Sequence, residues 1–218
     1  MAELRTEEEQ LEAIKRWWKE NGTSLIAGAA IAAAGVFGWN AWQDYQASQG
    51  EAASLRYQQL IDLTGRDELG DDARRRAEEL VTEITDEHGT TLYADLARLL
   101  DARLAVEADD RARARAALEA VIEESERGYL EGLARLRLAR LQLVEGEAET
   151  ALTTLEGVPE ALAAQRAEVV GDAHHALGRV DQARQAWQEA LSLAEQHDQP
   201  LYGVQLKLDD LGTEEAIL

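Results

Sequence analysis

The stretch from Asn21 to Gln43, NGTSLIAGAAIAAAGVFGWNAWQ, carries neither charge nor proline and lies between Glu20 and Asp44. A hydrocarbon core about 30 Å thick is crossed by roughly 20 helical residues, so residues 21–43 predict a transmembrane helix. Trp17 and Trp18 precede the stretch, and Trp39, Trp42 and Tyr45 close it, which sets amphipathic rings at both expected water interfaces. A helix of this length on a soluble protein would present a polar face, and none runs from Thr23 to Ala41. A cleaved signal peptide is also disfavoured. The triplet Ala32, Ala33, Ala34 imitates a cleavage site, but the first 20 residues carry more acidic than basic side chains and the apolar run continues to Trp42, unlike a signal peptide.

Membrane orientation follows the Lys and Arg residues close to the span rather than net charge. Lys15, Arg16 and Lys19 stand just before it, whereas Arg56 is the one basic residue within about 20 positions after it. The acidic head, residues 1–20, is therefore expected in the cytoplasm, and everything after Tyr45 on the opposite face. Leu25, Ile26, Ile31, Val36 and Phe37 each favour insertion by only about 0.3–0.6 kcal/mol, and most of the remainder is Ala and Gly. A weakly driven span gains from a protein partner. Ala30, Ala34 and Gly38 recur at i, i+4, i+8, a small-residue stripe on which a second helix can approach closely; the alternative is that Ala and Gly merely fill a lone anchor.

Beyond the span the chain is acidic. The whole sequence holds 22 Lys and Arg against 43 Asp and Glu, a net charge of −21, and the segment from Asp44 onward accounts for −19 of it, with Lys207 its sole lysine. Such a surface repels nucleic acid and anionic lipid, so no nucleic-acid partner is expected. There is no cysteine; folding then rests on helix packing without disulfides, and a lipidated N-terminus, as in an outer-membrane lipoprotein, is not expected.

After Tyr45 the composition reads as helix throughout, with prolines only at Pro159 and Pro200. A first helix is expected around Ala52–Leu63, with Gly50 as a bend after the span. A loop TGRDELGDD leads to a helix capped by Asp71 or Asp72 and running to about Thr85. His88-Gly89 serves as its stop, and Thr90 or Thr91 as the next cap. These juxtamembrane helices, residues 44–89, lead into repeats over residues 90–218. Ala114, Ala151 and Ala183 are each followed four residues later by Leu118, Leu155 or Trp187, and seven residues later by Val121, Val158 or Ala190. Twelve residues before each alanine stands Ala102, Ala139 or Gly171, and Gly178-Arg179 marks an inter-helix turn. The spacings of 37 and 32 bracket the 34 residues of a tetratricopeptide repeat. Small residues at a crossing let two helices pack closely, and each pair needs a neighbour to bury its outer face. Asp101, where an apolar residue is expected, and Arg135, where a large aromatic is expected, depart from the pattern; an irregular bundle of helical hairpins is the competing architecture. The fold class expected is all-α, an N-terminal transmembrane helix followed by a tetratricopeptide-like α-solenoid.

The order of acidic head, EAIKRWWKENG, a span ending GWNAW, ASLRYQQL, three degenerate repeats with LRLARLQL in the middle, and LKLDDLG near the C-terminus resembles the ancillary SecYEG translocon subunit family. The resemblance covers essentially the whole chain. It implies a single-span bacterial inner-membrane protein with a periplasmic tetratricopeptide-like domain. The partners it implies are the SecYEG translocon and a membrane-anchored periplasmic chaperone of prolyl-isomerase type. It also links the cytoplasmic head to restraint of an envelope-stress response regulator. Exported nascent chains are a further candidate ligand.

No catalytic constellation emerges. His174 and His175 are adjacent, so on a helix they point about 100° apart and cannot form an i, i+4 metal pair; a solvated helix surface is the expectation for the histidines. There is no cysteine nucleophile, no GxSxG and no Gly-rich phosphate loop, and the many carboxylates read as a solvated face. No catalytic residue, metal or cofactor is expected. Two functions remain: a non-enzymatic adaptor or chaperone cofactor at the Sec export channel, or a structural scaffold for another envelope complex. In either, partner binding is expected on the first helix of each repeat, at Leu96, Leu99, Arg103 and Val106 and at Leu133, Leu136, Arg140 and Leu143; the alternative is that these leucines are core residues covered by the next helix. That groove would turn acidic toward Glu168, Asp172 and His175 in the third copy.

Overall fold

The computed structural model describes residues 7–65, 69–198 and 200–215; the first six residues of the expected head, residues 66–68 of the TGRDELGDD loop, residue 199 and residues 216–218 of the repeat segment lie outside it. Among the described residues all regular structure is helical: α1 (Glu7–Thr64), α2 (Asp71–Glu87), α3 (Leu92–Glu107), α4 (Arg111–Glu124), α5 (Gly128–Val144), α6 (Ala148–Leu155), a 3-10 turn (Glu160–Leu162), α7 (Ala163–Ala176), α8 (Val180–Gln196) and α9 (Val204–Glu215). The chain divides into two compact units, residues 1–51 and 52–218.

In the first unit α1 leaves its apolar side chains in the open: Leu25 is 46% exposed, Ile31 73% and Phe37 73%. Among the described residues α1 is the one helix long and apolar enough to cross a membrane, its most apolar window having a mean hydropathy of 1.5 and only 6% of its residues buried. A core helix of a soluble protein would be covered. The helix of the span runs on without interruption through Gly50 to Thr64, so the helix expected around Ala52–Leu63 is its continuation.

The second unit is a row of helix pairs. Residues 52–64 of α1 lie against α2 and α3 through Leu60, Leu80, Ile84 and Leu100, and Arg56 clips the pair shut, donating to Glu87 at 2.8 Å and to His88 Nε2 at 3.0 Å. His88 is thus buried, 7% exposed, rather than solvated. The cap of α2 is Gly70, with Asp71 and Asp72 in the first turn, where they oppose the positive helix end instead of serving as the cap; the helix runs to Glu87. Thr91 caps α3 by accepting from Ala94 N.

The three pairs α3/α4, α5/α6 and α7/α8 follow the repeat pattern. Every second-helix position singled out by spacing is in the core: Ala114, Leu118 and Val121 at 0, 2 and 0% exposure, Ala151, Leu155 and Val158 at 0, 1 and 3%, Ala183, Trp187 and Ala190 at 0, 3 and 0%. Each pair turns through one left-handed residue, Asp109 (φ 57°), Gly146 (φ 81°) or Gly178 (φ 71°). In all three the next amide reaches back five residues, Asp110 to Ala105, Glu147 to Gln142 and Arg179 to His174, at 2.8–2.9 Å, as in a Schellman motif.

Both departures from the pattern have partners. Asp101, 8% exposed, accepts from Arg113 of α4 (Nε to Oδ2 3.3 Å), and Arg113 also reaches Glu78 of α2. One guanidinium thereby ties three helices together. Arg135 pairs with Glu131 at 2.8 Å and lies against Gly157, where a Cβ would sit 2.7 Å from its Cζ; the guanidinium plane fills the place of the missing aromatic.

Candidate functional site

The first helices of adjacent pairs, α3 and α5, enclose an open cavity of about 500 Å³ near the α3–α4 turn. Ala102, Leu118 and Leu141, at 3, 2 and 7% exposure, make an apolar floor. Val106 and Val144, at 53 and 71% exposure, stand at its edges. Arg111, paired with Asp109 at 3.4 Å, also lines it, and so do Arg103, Arg137 and Arg140, a gathering of cations in a chain of net charge −21.

The guanidinium groups of Arg103, Arg137 and Arg140 are held differently. Arg103 pairs with Glu107 one turn along its own helix at 3.3 Å, both about half exposed, and Arg140 meets Glu168 of α7 at 3.5 Å. Arg137 donates to the Leu99 carbonyl at 3.1 Å and has no carboxylate partner among the described residues. Burial pushes the Arg137 guanidinium below its ordinary pKa, and the facing Arg140 and Arg103 push it further. Nearby Tyr57 is raised, by burial first, against the opposing pull of Arg103 and Arg137.

This arrangement keeps part of the expected groove and corrects the rest. Arg103, Val106 and Arg140 line the cavity. Leu96, Leu133 and Leu143 are half-buried against core clusters. Leu99 and Leu136, at 4 and 1% exposure, are not groove residues: Leu99 joins Leu118, Val121 and Leu130, and Leu136 joins Leu155, Leu162 and Val169. In α5 the residues lining the cavity are Arg137, Arg140, Leu141 and Val144; Arg140 was in the expected set, and the other three stand one position beyond Leu136, Arg140 and Leu143. Their i, i+3, i+4, i+7 spacing was present in RLRLARLQLV, but leucine at nearly every second position hid which stripe is covered.

At the expected acidic end Asp172 and His175 line a second open cavity of about 320 Å³ together with Trp187, Lys207 and Asp210, but its carboxylates are not free. Lys207 of α9 reaches Glu168 at 3.0 Å and both Asp172 oxygens at 2.7 and 2.9 Å, and lies 5.8 Å from the Trp187 ring centroid, within cation–π range. Trp187 Nε1 donates to Asp172 at 3.0 Å and to the Glu168 carbonyl at 3.2 Å, and the His175 ring lies 5.6 Å from it. The sole lysine beyond the span thus neutralises this patch and docks the last helix.

In α1, Ala30, Ala34 and Gly38 are exposed, and a Cβ on Gly38 would meet nothing within 4 Å.

Residues 15–213 match the family model described as a tetratricopeptide repeat-like domain. A protein of Haemophilus influenzae named "Ancillary SecYEG translocon subunit" is 32% identical over 206 residues, 94% of this chain and 97% of the relative. One of Aggregatibacter actinomycetemcomitans with the same name is 34% identical, over 97% of this chain and all of the relative. The chain belongs to the ancillary SecYEG translocon subunit family. The Escherichia coli member is 32% identical over 84% of this chain and 85% of its own length. No solved structure matches the chain. The family match starts ahead of the uncharged stretch and ends within α9, so the apolar helix and the repeats belong to one inherited unit.

Proposed function

We propose that this chain is a non-enzymatic adaptor of the Sec protein-export channel in the bacterial inner membrane, anchored by residues 21–43 and binding proteins in the groove between α3 and α5. The observation that carries the binding role is that groove: an apolar floor rimmed by four arginines and one aspartate on an acidic repeat domain. The channel assignment rests on the names of relatives that match nearly end to end. Lys15, Arg16 and Lys19 before the span, against Arg56 after it, put the head in the cytoplasm and the repeats in the periplasm. There the groove is offered to the translocon, to exported chains or to a membrane-anchored chaperone of prolyl-isomerase type, and the head to a cytoplasmic stress-response regulator.

The test is a photo-crosslinking residue in place of Val144 in native inner membranes. Adducts with channel subunits or exported chains are expected; adducts only with an unrelated envelope complex would replace the adaptor by a scaffold. In the same membranes, protease added outside spheroplasts should digest the chain beyond Tyr45 and spare the head. Release of the repeats by carbonate without detergent would contradict the anchor.

The face of Ala30, Ala34 and Gly38 is assigned to packing on a partner helix, since small residues allow close backbone approach in lipid. Gly38→Leu is expected to leave insertion intact, leucine being the more apolar residue, while lowering recovery of the channel with the tagged chain. Undiminished recovery reduces the span to a tether.

A further inference from the structure

Building on the groove as the binding site, we propose that its ligand is an extended segment of a partner protein bearing a carboxylate side chain next to an apolar one. The carboxylate sits on Arg137 between Arg103 and Arg140, and the apolar side chain rests on Ala102, Leu118 and Leu141.

Charge complementarity selects this class. Nearly all the binding area of the floor is apolar and tolerant of sequence, so it sets no preference by itself. The preference comes from the rim. Arg137 meets only a backbone carbonyl there. The Glu107 that pairs with Arg103 is half exposed, where solvent screening leaves such a pair weak. Arg140 shares Glu168 with Lys207, and Lys207 holds the shorter contact, 3.0 Å against 3.5 Å. An arriving carboxylate can therefore take charge-assisted bonds from Arg137 without displacing an existing ion pair, and it relieves the mutual repulsion of three cations. A planar guanidinium suits it geometrically. A lysine-bearing segment would add one more cation beside Arg137. The net charge of −21 opposes an acidic ligand at long range, but at 0.15 M salt the Debye length is about 8 Å, so the adjacent arginines decide.

The experiment uses the full chain in detergent micelles and three fluorescent synthetic peptides, identical in their apolar residues and carrying Glu, Gln or Lys at the centre. The Glu peptide is expected to bind about two- to fivefold tighter than the Gln peptide, the range for an ion pair at an open rim, and the Lys peptide weakest. Arg137→Gln should remove the Glu preference with the circular dichroism spectrum unchanged. Val106→Asp, which places a rival carboxylate at the groove edge, should weaken the Glu peptide selectively and serves if Arg137→Gln does not fold. Equal affinity for Glu and Gln peptides, no saturable binding, or an undiminished preference in the folded Arg137→Gln chain overturns the proposal. The adaptor reading fails separately. Channel adducts from position 144 without a Glu preference would sink only the ligand class, and a Glu preference without channel adducts would sink only the Sec assignment.

Discussion

Gly171→Ala is expected to destabilise the repeat domain by about 1–3 kcal/mol, the usual cost of overpacking a close contact, and Trp187→Leu in the same chain is expected to restore most of that loss. Elsewhere in a helix the same Gly to Ala change stabilises by up to about 1 kcal/mol, so the sign itself is informative. A Cβ on Gly171 would stand 2.3 Å from Cδ1 and 2.4 Å from Nε1 of Trp187. The indole cannot swing aside freely, because Nε1 is held by Asp172 and by the Glu168 carbonyl. The other two repeats hold the same crossing with a different division of volume: Ala102 shares a core cluster with Leu118, and Ala139 one with Leu155. The double variant rebuilds that Ala and Leu pair in the third repeat. Denaturant melts of wild type, both single variants and the double should give a coupling of at least about 1 kcal/mol, residues in contact being non-additive. Additive losses would mean that the glycine is not there for the tryptophan.

Leu136→Asp is expected to unfold the middle of the array, with a loss of about 4 kcal/mol or more, whereas Val106→Asp should stay within about 0.5 kcal/mol of wild type. Leu136 is 1% exposed among Leu155, Leu162 and Val169, so the new charge must be desolvated or be protonated. Val106 is 53% exposed at the groove edge, where an aspartate keeps its water. Loss of helical signal and earlier melting in the first variant, set against a native spectrum in the second, would fix which leucines are core and which side chains belong to the open face. Comparable losses in both would mean that the two faces have been assigned wrongly.

The sequence by itself determined the apolar span, the all-helical class and the repeat register. An uncharged run of helix-crossing length has one soluble alternative, and that alternative needs a covering partner which α1 lacks over Leu25 to Phe37. The register was legible because Ala114, Ala151 and Ala183 lie at helix crossings where only a small side chain fits, so the constraint is local and recurs. The open face was not legible, since it depends on which neighbour covers a given stripe. Groove and core stayed open for Leu99 and Leu136 until the pairs were stacked, and Arg137, with no feature to mark it within RLRLARLQLV, emerged only from the cavity between α3 and α5. The pairing at the acidic end was hidden for the same reason. Glu168 and Asp172 sit within five residues of each other in the chain, but the cation that bridges them, Lys207, comes from 35 residues beyond Asp172, and only the docking of α9 brings it there.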